Sequence, residues 1–280
     1  MRASIQKTVQ YDRSHYLNEP VPIVWELKML FKRNESLVIF EIGACEGEDS
    51  IRYSKLYPCA RIYAFEPLPA NIELIKNNLT KYNIKNVSFF NRALSVSNGT
   101  AQFFVSSGKP PGTADVDWDF GNKSSSLQAP EKHLDNIKFI HFDNKILVET
   151  ITLNSFCTQN KINYIDFMHM DVQGAELMVL EGAGDFIKSI KAIWLEVSKI
   201  DLYKNQPLVQ DIAAFMRRNN FTLLKDACGN IQGDQLYISV NFFSKRKITR
   251  IKNAIAARSL LNRLVRKVQR TVFLLAHNRK

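Results

Sequence analysis

The chain has 280 residues, 45% of them hydrophobic and 23% charged, a globular balance that excludes a disordered or collagen-like chain and is long enough to bury a sizeable core. Its formal net charge of +11 is lopsided: residues 244–280 hold 12 of the 38 Lys and Arg and none of the 27 Asp and Glu, so the rest is near neutral and the basicity is no evidence that the body binds nucleic acid. The four cysteines, Cys45, Cys59, Cys157 and Cys228, form no Cys-x-x-Cys pair, which argues against a disulfide scaffold or a cysteine zinc site and for reduced thiols in a cytoplasmic protein.

Residues 1–36 read as an N-terminal lead-in with a helix around 24–32 and no apolar run of signal-peptide length. Residues 37–243 then alternate strand and helix. LVIFEI (37–42) is an apolar β-rich run ending at a glycine-containing turn, and residues 49–57 predict a helix that stops before Pro58. RIYAFEP (61–67) is a second strand, closed by its proline. Residues 69–82 form a helix, with proline near its first turn and Ile72, Ile75 and Leu79 on one face. VSFFNRAL (87–94) is a third strand. Residues 100–105 predict a hairpin strand and 148–152 a further short one. Between them lies 106–133, rich in Gly, Pro, Ser and Asp, and a loop that long inside a domain is usually functional. Alternation resumes with strand 164–172, helix 174–181, strand 192–198 and helix 208–218. It closes on an antiparallel pair from 221–226 and 235–242. Such a pattern predicts a mostly parallel α/β sheet covered by helices on both faces.

Residues 244–280 read as one or two helices with an apolar stripe at Leu261, Leu264, Val265, Val268, Val272 and Leu275, and Arg263, Arg266, Lys267 and Arg270 on other faces. Three partners suit them: the body or another subunit, an anionic membrane surface, or, behind these, nucleic acid. No stretch approaches the ~20 apolar residues that span a bilayer.

Ligands in such sheets bind at the carboxyl ends of the strands. After the first strand comes Glu41-Ile-Gly43-Ala44-Cys-Glu-Gly47, whose glycines let the backbone approach a ligand at a helix N-terminus. Taken alone, this spacing fits an ordinary βα turn better, and it is not the dinucleotide fingerprint, which disfavours a NAD enzyme. The second strand ends at Glu66, a carboxylate placed to accept from ribose hydroxyls; paired with the glycine turn it favours a nucleoside site over a solvated charge. Asn91 and Ala93 would flank a flat base, although a simple loop explains them equally. The fourth strand ends in His169-Met-Asp171, followed by Glu176. His169 and Asp171 share a face, so they suit a proton-accepting pair, with a hydrogen-bonded core histidine as an even alternative. Glu176 would also serve its own helix N-terminus. Glu196 ends the fifth strand, facing the same edge or in a packing role. His15, His133, His141 and His277 form no ligand pair, so no metal is expected.

VIFEIGACEG, YAFEPLPANIELIKNNL, FFNRALSVSNGTAQFFVS, SSSL, ITLNSF and DFMHMDVQGAELMVLEGA occur in that order. Together they resemble the FkbM-type methyltransferases, a branch of the S-adenosylmethionine-dependent enzymes, over residues 37 to 241. The resemblance implies a Rossmann-like class I methyltransferase sheet of seven strands, mostly parallel, with a reversed last strand. It implies that Glu41, Gly43, Ala44 and Gly47 line the methionine end of S-adenosyl-L-methionine and that Glu66 holds the ribose. It implies O-methylation, often of a sugar hydroxyl in a glycan, glycolipid or small metabolite. Asp171, with His169, would then be the base, and Ser125, Glu176 and Glu196 would lie on the acceptor side. The family commonly has Asp at Glu41, Asn at Cys45 and Lys at His169. The departures keep a non-catalytic binding module in view. An RNA methyltransferase gripping through the basic tail is a further alternative, against which the near-neutral body and the absence of an Asn-Pro-Pro-Tyr site count.

Overall fold

The structure is a computed structural model describing residues 13–110 and 121–277. It opens with α1 (Arg13–Asn18), α2 (Val24–Leu30), β1 (Val38–Ile42), α3 (Glu48–Leu56), β2 (Arg61–Phe65), α4 (Pro69–Lys81) and β3 (Val87–Phe90). Then follow β4 (Ala93–Leu94), β5 (Gly99–Gly108), α5 (His133–Asn136), β6 (Ile140–Ile151), α6 (Leu153–Gln159), β7 (Ile165–Met170) and α7 (Glu176–Gly182). The chain ends with β8 (Ile190–Ser198), α8 (Val209–Arg218), β9 (Phe221–Cys228), β10 (Gln232–Ser239) and α9 (Lys245–His277). Seven strands make one sheet in the order β3-β2-β1-β7-β8-β10-β9. Its strands pair in parallel except that β10 runs against both its neighbours, so the expected reversed last strand is present.

The central strands are apolar almost throughout because helices cover both faces. Alternation along each strand divides their side chains between two cores. Phe40 and Met168 pack with Phe156 of α6, Leu180 of α7 and Met216 of α8. Ile39, Phe167 and Trp194 pack on the other face with Leu27 of α2, Tyr53 of α3 and Ile251 of α9. Glu41 and His169, two residues beyond Ile39 and Phe167, fall on this second face and are register partners across β1 and β7.

Two predicted strands differ. The run 87–94 breaks: β3 stays in the main sheet, and β4 leaves it to pair in parallel with β6 in a second sheet, ordered β4-β6-β5. The break is built by Asn91, whose side-chain amide donates to the Glu66 and Pro67 carbonyls at 3.0 and 2.9 Å. The short strand expected at 148–152 is the end of twelve-residue β6. The first half of β6 is mostly polar and exposed, and its backbone is satisfied by antiparallel pairing with β5. Of the predicted loop 106–133, residues 111–120 lie outside the described residues; Gly121–Ser124 form a 3-10 turn and Ser126 bridges to Phe104. The tail is a single helix, α9, whose Ile248 and Ile251 are buried on the body.

Candidate functional site

The chain reverses just past β1, where Gly43 takes φ +84°. A Cβ there would lie 1.8 Å from the Asp171 carbonyl oxygen, so only glycine lets the β1 turn press against the end of β7. The Gly43 and Ala44 amides donate to the Phe65 carbonyl at 3.0 and 2.9 Å, and the Asp171 amide donates to Ile42 at 3.0 Å. The ends of β1, β2 and β7 are thereby locked together. Cys45, at φ +49°, aims its amide at Glu66, which accepts it at 2.8 Å on one oxygen and the Leu68 amide at 2.9 Å on the other. Burial pushes the Glu66 carboxyl up to about 7, against the opposing pull of those two amides. Gly47, φ +81°, caps α3 and faces Ile75, behind the turn.

A cleft with two lobes opens over this junction. One lobe is walled by Glu66, Pro67, Ala93, Phe103, Asn122 and Ser125. The other is walled by Tyr16, Glu41, Ala44, Asp49 and His169. Gly43, Cys45, Lys123 and Asp171 line both. Glu41 accepts from the Ser50 hydroxyl, and burial, reinforced by the nearby Asp49 charge, holds its carboxyl well above the usual range. His169 stands edge-on to Tyr53, ring centroids 5.7 Å apart, and its buried Nδ1 has no partner among the described residues. The ligand atoms of Glu41, Asp49 and His169 lie within 4.8 Å of one another. That grouping comes from three separate elements, so no motif spacing announces it.

On the opposite side, the Gln173 side-chain amide donates to Asp171 at 2.6 Å and to Glu196 at 3.1 Å, while its carbonyl accepts from the Tyr203 hydroxyl at 3.0 Å. Burial raises the Asp171 carboxyl above the usual range; Gln173 and His169 pull the other way. Glu196, also held by Gln232 at 3.0 Å, is pushed well up by burial and by the Asp171, Glu176 and Asp234 carboxylates. Glu176 accepts the Val172 and Gly174 amides, both at 3.2 Å, and burial lifts it to about 7.

The fold therefore gathers Glu41, Gly43, Ala44, Glu66, Ala93, Ser125, His169 and Asp171 around one cleft. Four other residues expected there stand behind its walls: Gly47 in the α3 cap, Asn91 under the β2 end, Glu176 clamping the turn before α7, and Glu196 behind Gln173. Sequence reasoning did not single out Tyr16, Asp49, Asn122, Lys123 or Gln173. Tyr16 reaches the site because α1 docks on α3: Arg13 pairs with Glu46, the Tyr16 hydroxyl donates to Asp49 at 3.0 Å, and Arg52 lies 4.2 Å over the Tyr16 ring. Lys123 comes from the glycine-rich loop, its ammonium 3.6 Å from the Cys45 sulfur and 3.5 Å from Glu48.

The sequence profile of the methyltransferase FkbM domain matches residues 41–223. The 2-O-methyltransferase NoeI of Sinorhizobium fredii (strain NBRC 101917 / NGR234) is 32% identical over 199 residues, covering 71% of this chain and 78% of that protein. Among solved structures, a precorrin-6y C5,15-methyltransferase from Geobacter metallireducens GS-15 aligns with TM-score 0.40 and 16% identity over 84% of this chain and 90% of its own. The N-terminal domain of EvdMO1 with SAH bound aligns with TM-score 0.44 and 12% identity over 79% and 81%.

Proposed function

Because the chain belongs to the FkbM methyltransferase family and is an S-adenosylmethionine-dependent O-methyltransferase acting on a hydroxylated acceptor, we propose that Asp171 is its general base and that the acceptor hydroxyl belongs to a sugar unit. The observation that carries the reading is the position of Asp171 on the wall common to both lobes, half-buried, with a raised pKa and held through Gln173.

The residues present fit the cofactor. A carboxylate offers about four acceptor sites, so Glu66 can take ribose hydroxyls beside its two backbone amides. Ala93, Phe103 and Leu127 offer an apolar slot for the base. Glu41 and Asp49 offer an acidic end for the methionine ammonium. When bound, S-adenosyl-L-methionine supplies a methyl group activated on a sulfonium sulfur. The protein's share is to orient the acceptor oxygen, exclude water and take the hydroxyl proton. Asp171 takes that proton on the carboxylate, and Gln173 keeps the oxygens aimed. His169 is the second candidate, since its free Nδ1 has no competing donor or acceptor among the described residues. Ser125 and Lys123 add polar side chains to the cleft wall, which suits a polyhydroxylated ring better than a flat apolar one.

The test is calorimetric titration with S-adenosylhomocysteine followed by transfer of labelled methyl to a panel of oligosaccharides, glycolipids and phenols. Micromolar cofactor binding with label on sugar acceptors only supports the reading. Label on phenols alone would overturn the sugar assignment.

A further inference from the structure

We propose that α9, from Ala256 onward, is a docking helix for an anionic lipid surface, holding the protein at a membrane without crossing it. The helix leaves the body in mid-course. Ile248 and Ile251 are buried, Lys252 donates to Thr222 at 2.9 Å and Arg258 stacks 5.0 Å over Trp25. Beyond Ala256 every described side chain is exposed. Among them Leu260, Leu261, Leu264 and Val265 are 60%, 59%, 53% and 46% exposed. At about 100° per residue, Ala257, Leu261, Leu264 and Val265 fall on one arc of the helix, with Arg263 opposite and Arg258 on the flank. No helix among the described residues is long and apolar enough to cross a membrane.

The charge decides between occupants. Residues 244–280 carry 12 cations and no acid. A second copy laid along this face would bring two such segments together with no carboxylate to pair, whereas coiled coils set partners with opposite charges beside the seam. A nucleic acid would use the cations and leave the leucines in water. An anionic bilayer surface uses both, taking the apolar arc into the headgroup boundary and attracting the basic residues electrostatically.

The experiment is vesicle co-sedimentation of the full chain, using phosphatidylcholine alone and phosphatidylcholine with one third phosphatidylserine. The expected result is binding to the second only, weakened by salt. The variant Leu260→Gln/Leu261→Gln/Leu264→Gln keeps the charge and touches only exposed positions; it should bind roughly tenfold more weakly or worse, with S-adenosylhomocysteine affinity unchanged. No binding to the phosphatidylserine vesicles, equal binding to both compositions, or full binding by the variant would overturn the proposal. So would a dimer in sedimentation velocity that the variant abolishes while lipid binding is absent.

Discussion

The two acidic regions at the sheet edge are anchored in opposite ways. At the end of β2, both oxygens of Glu66 are held by main-chain amides, those of Cys45 and Leu68. At the ends of β7 and β8, Asp171 and Glu196 meet through one side-chain amide, that of Gln173. A carboxylate tied to backbone cannot move without opening the turn around it, which suits it to hold a ligand still. One tied to a side chain, half-buried and beside other carboxylates, changes its proton more readily, which suits it to chemistry. Glu176 belongs to the first kind although it stands beside the second group: its two backbone bonds make it a clamp.

The largest break in that contrast should come from Asp171→Asn. Turnover is expected to fall about 10²–10⁴-fold, with S-adenosylhomocysteine binding nearly intact by calorimetry. Unchanged turnover would transfer the role to His169. Since burial raises the Asp171 pKa and only the ionised form takes a proton, wild-type turnover should still be climbing at pH values where an ordinary aspartate has finished titrating. A pH–rate profile reads this directly.

A smaller effect is expected from Glu66→Gln. Hydrogen bonds to a charged acceptor contribute roughly 1.5–3 kcal/mol, so cofactor affinity should drop at least about tenfold. The loss should appear in the KM for cofactor and leave kcat within a few fold. A fall in kcat with KM unchanged would erase the division between a holding and a reacting carboxylate.

Smallest should be Glu176→Gln, because a glutamine carbonyl can still accept the Val172 and Gly174 amides. Kinetics should hold. The change should show in stability against pH. Burial raises the folded Glu176 pKa to about 7, above its unfolded value, so the folded state favours the protonated form. That contribution is full at low pH and is lost as pH rises through about 7. Thermal melts from pH 5 to 8 should therefore show the variant gaining on wild type as pH rises; a constant difference would mean that Glu176 is already ionised in the fold.

Much of this was legible along the chain, because each strand end announces itself locally. Gly43 and Glu66 follow apolar β-rich runs directly, at the strand ends where ligands bind in sheets of this kind. The alternation of His169 and Asp171 along one strand placed them on one face, and both line the cleft. What stayed hidden was every residue whose role depends on a distant partner. Tyr16 precedes the sheet and reaches Asp49 only because α1 docks on α3. Lys123 lies in a loop whose composition marks it as irregular but not where it folds. Gln173 looks like one more polar residue in a turn until the sheet brings Glu196 beside it.

The sequence by itself determined the alternating sheet, the glycine turn, the acid at the end of β2 and the separation of a near-neutral body from a basic tail, since periodicity, turn chemistry and charge are properties of neighbouring residues. Only the tertiary structure decided which carboxylates face the cleft and which clamp the backbone behind it. Chain neighbours set a side chain's direction along its strand. Its bonds, burial and proton affinity are set by elements up to dozens of residues away that the fold packs against it.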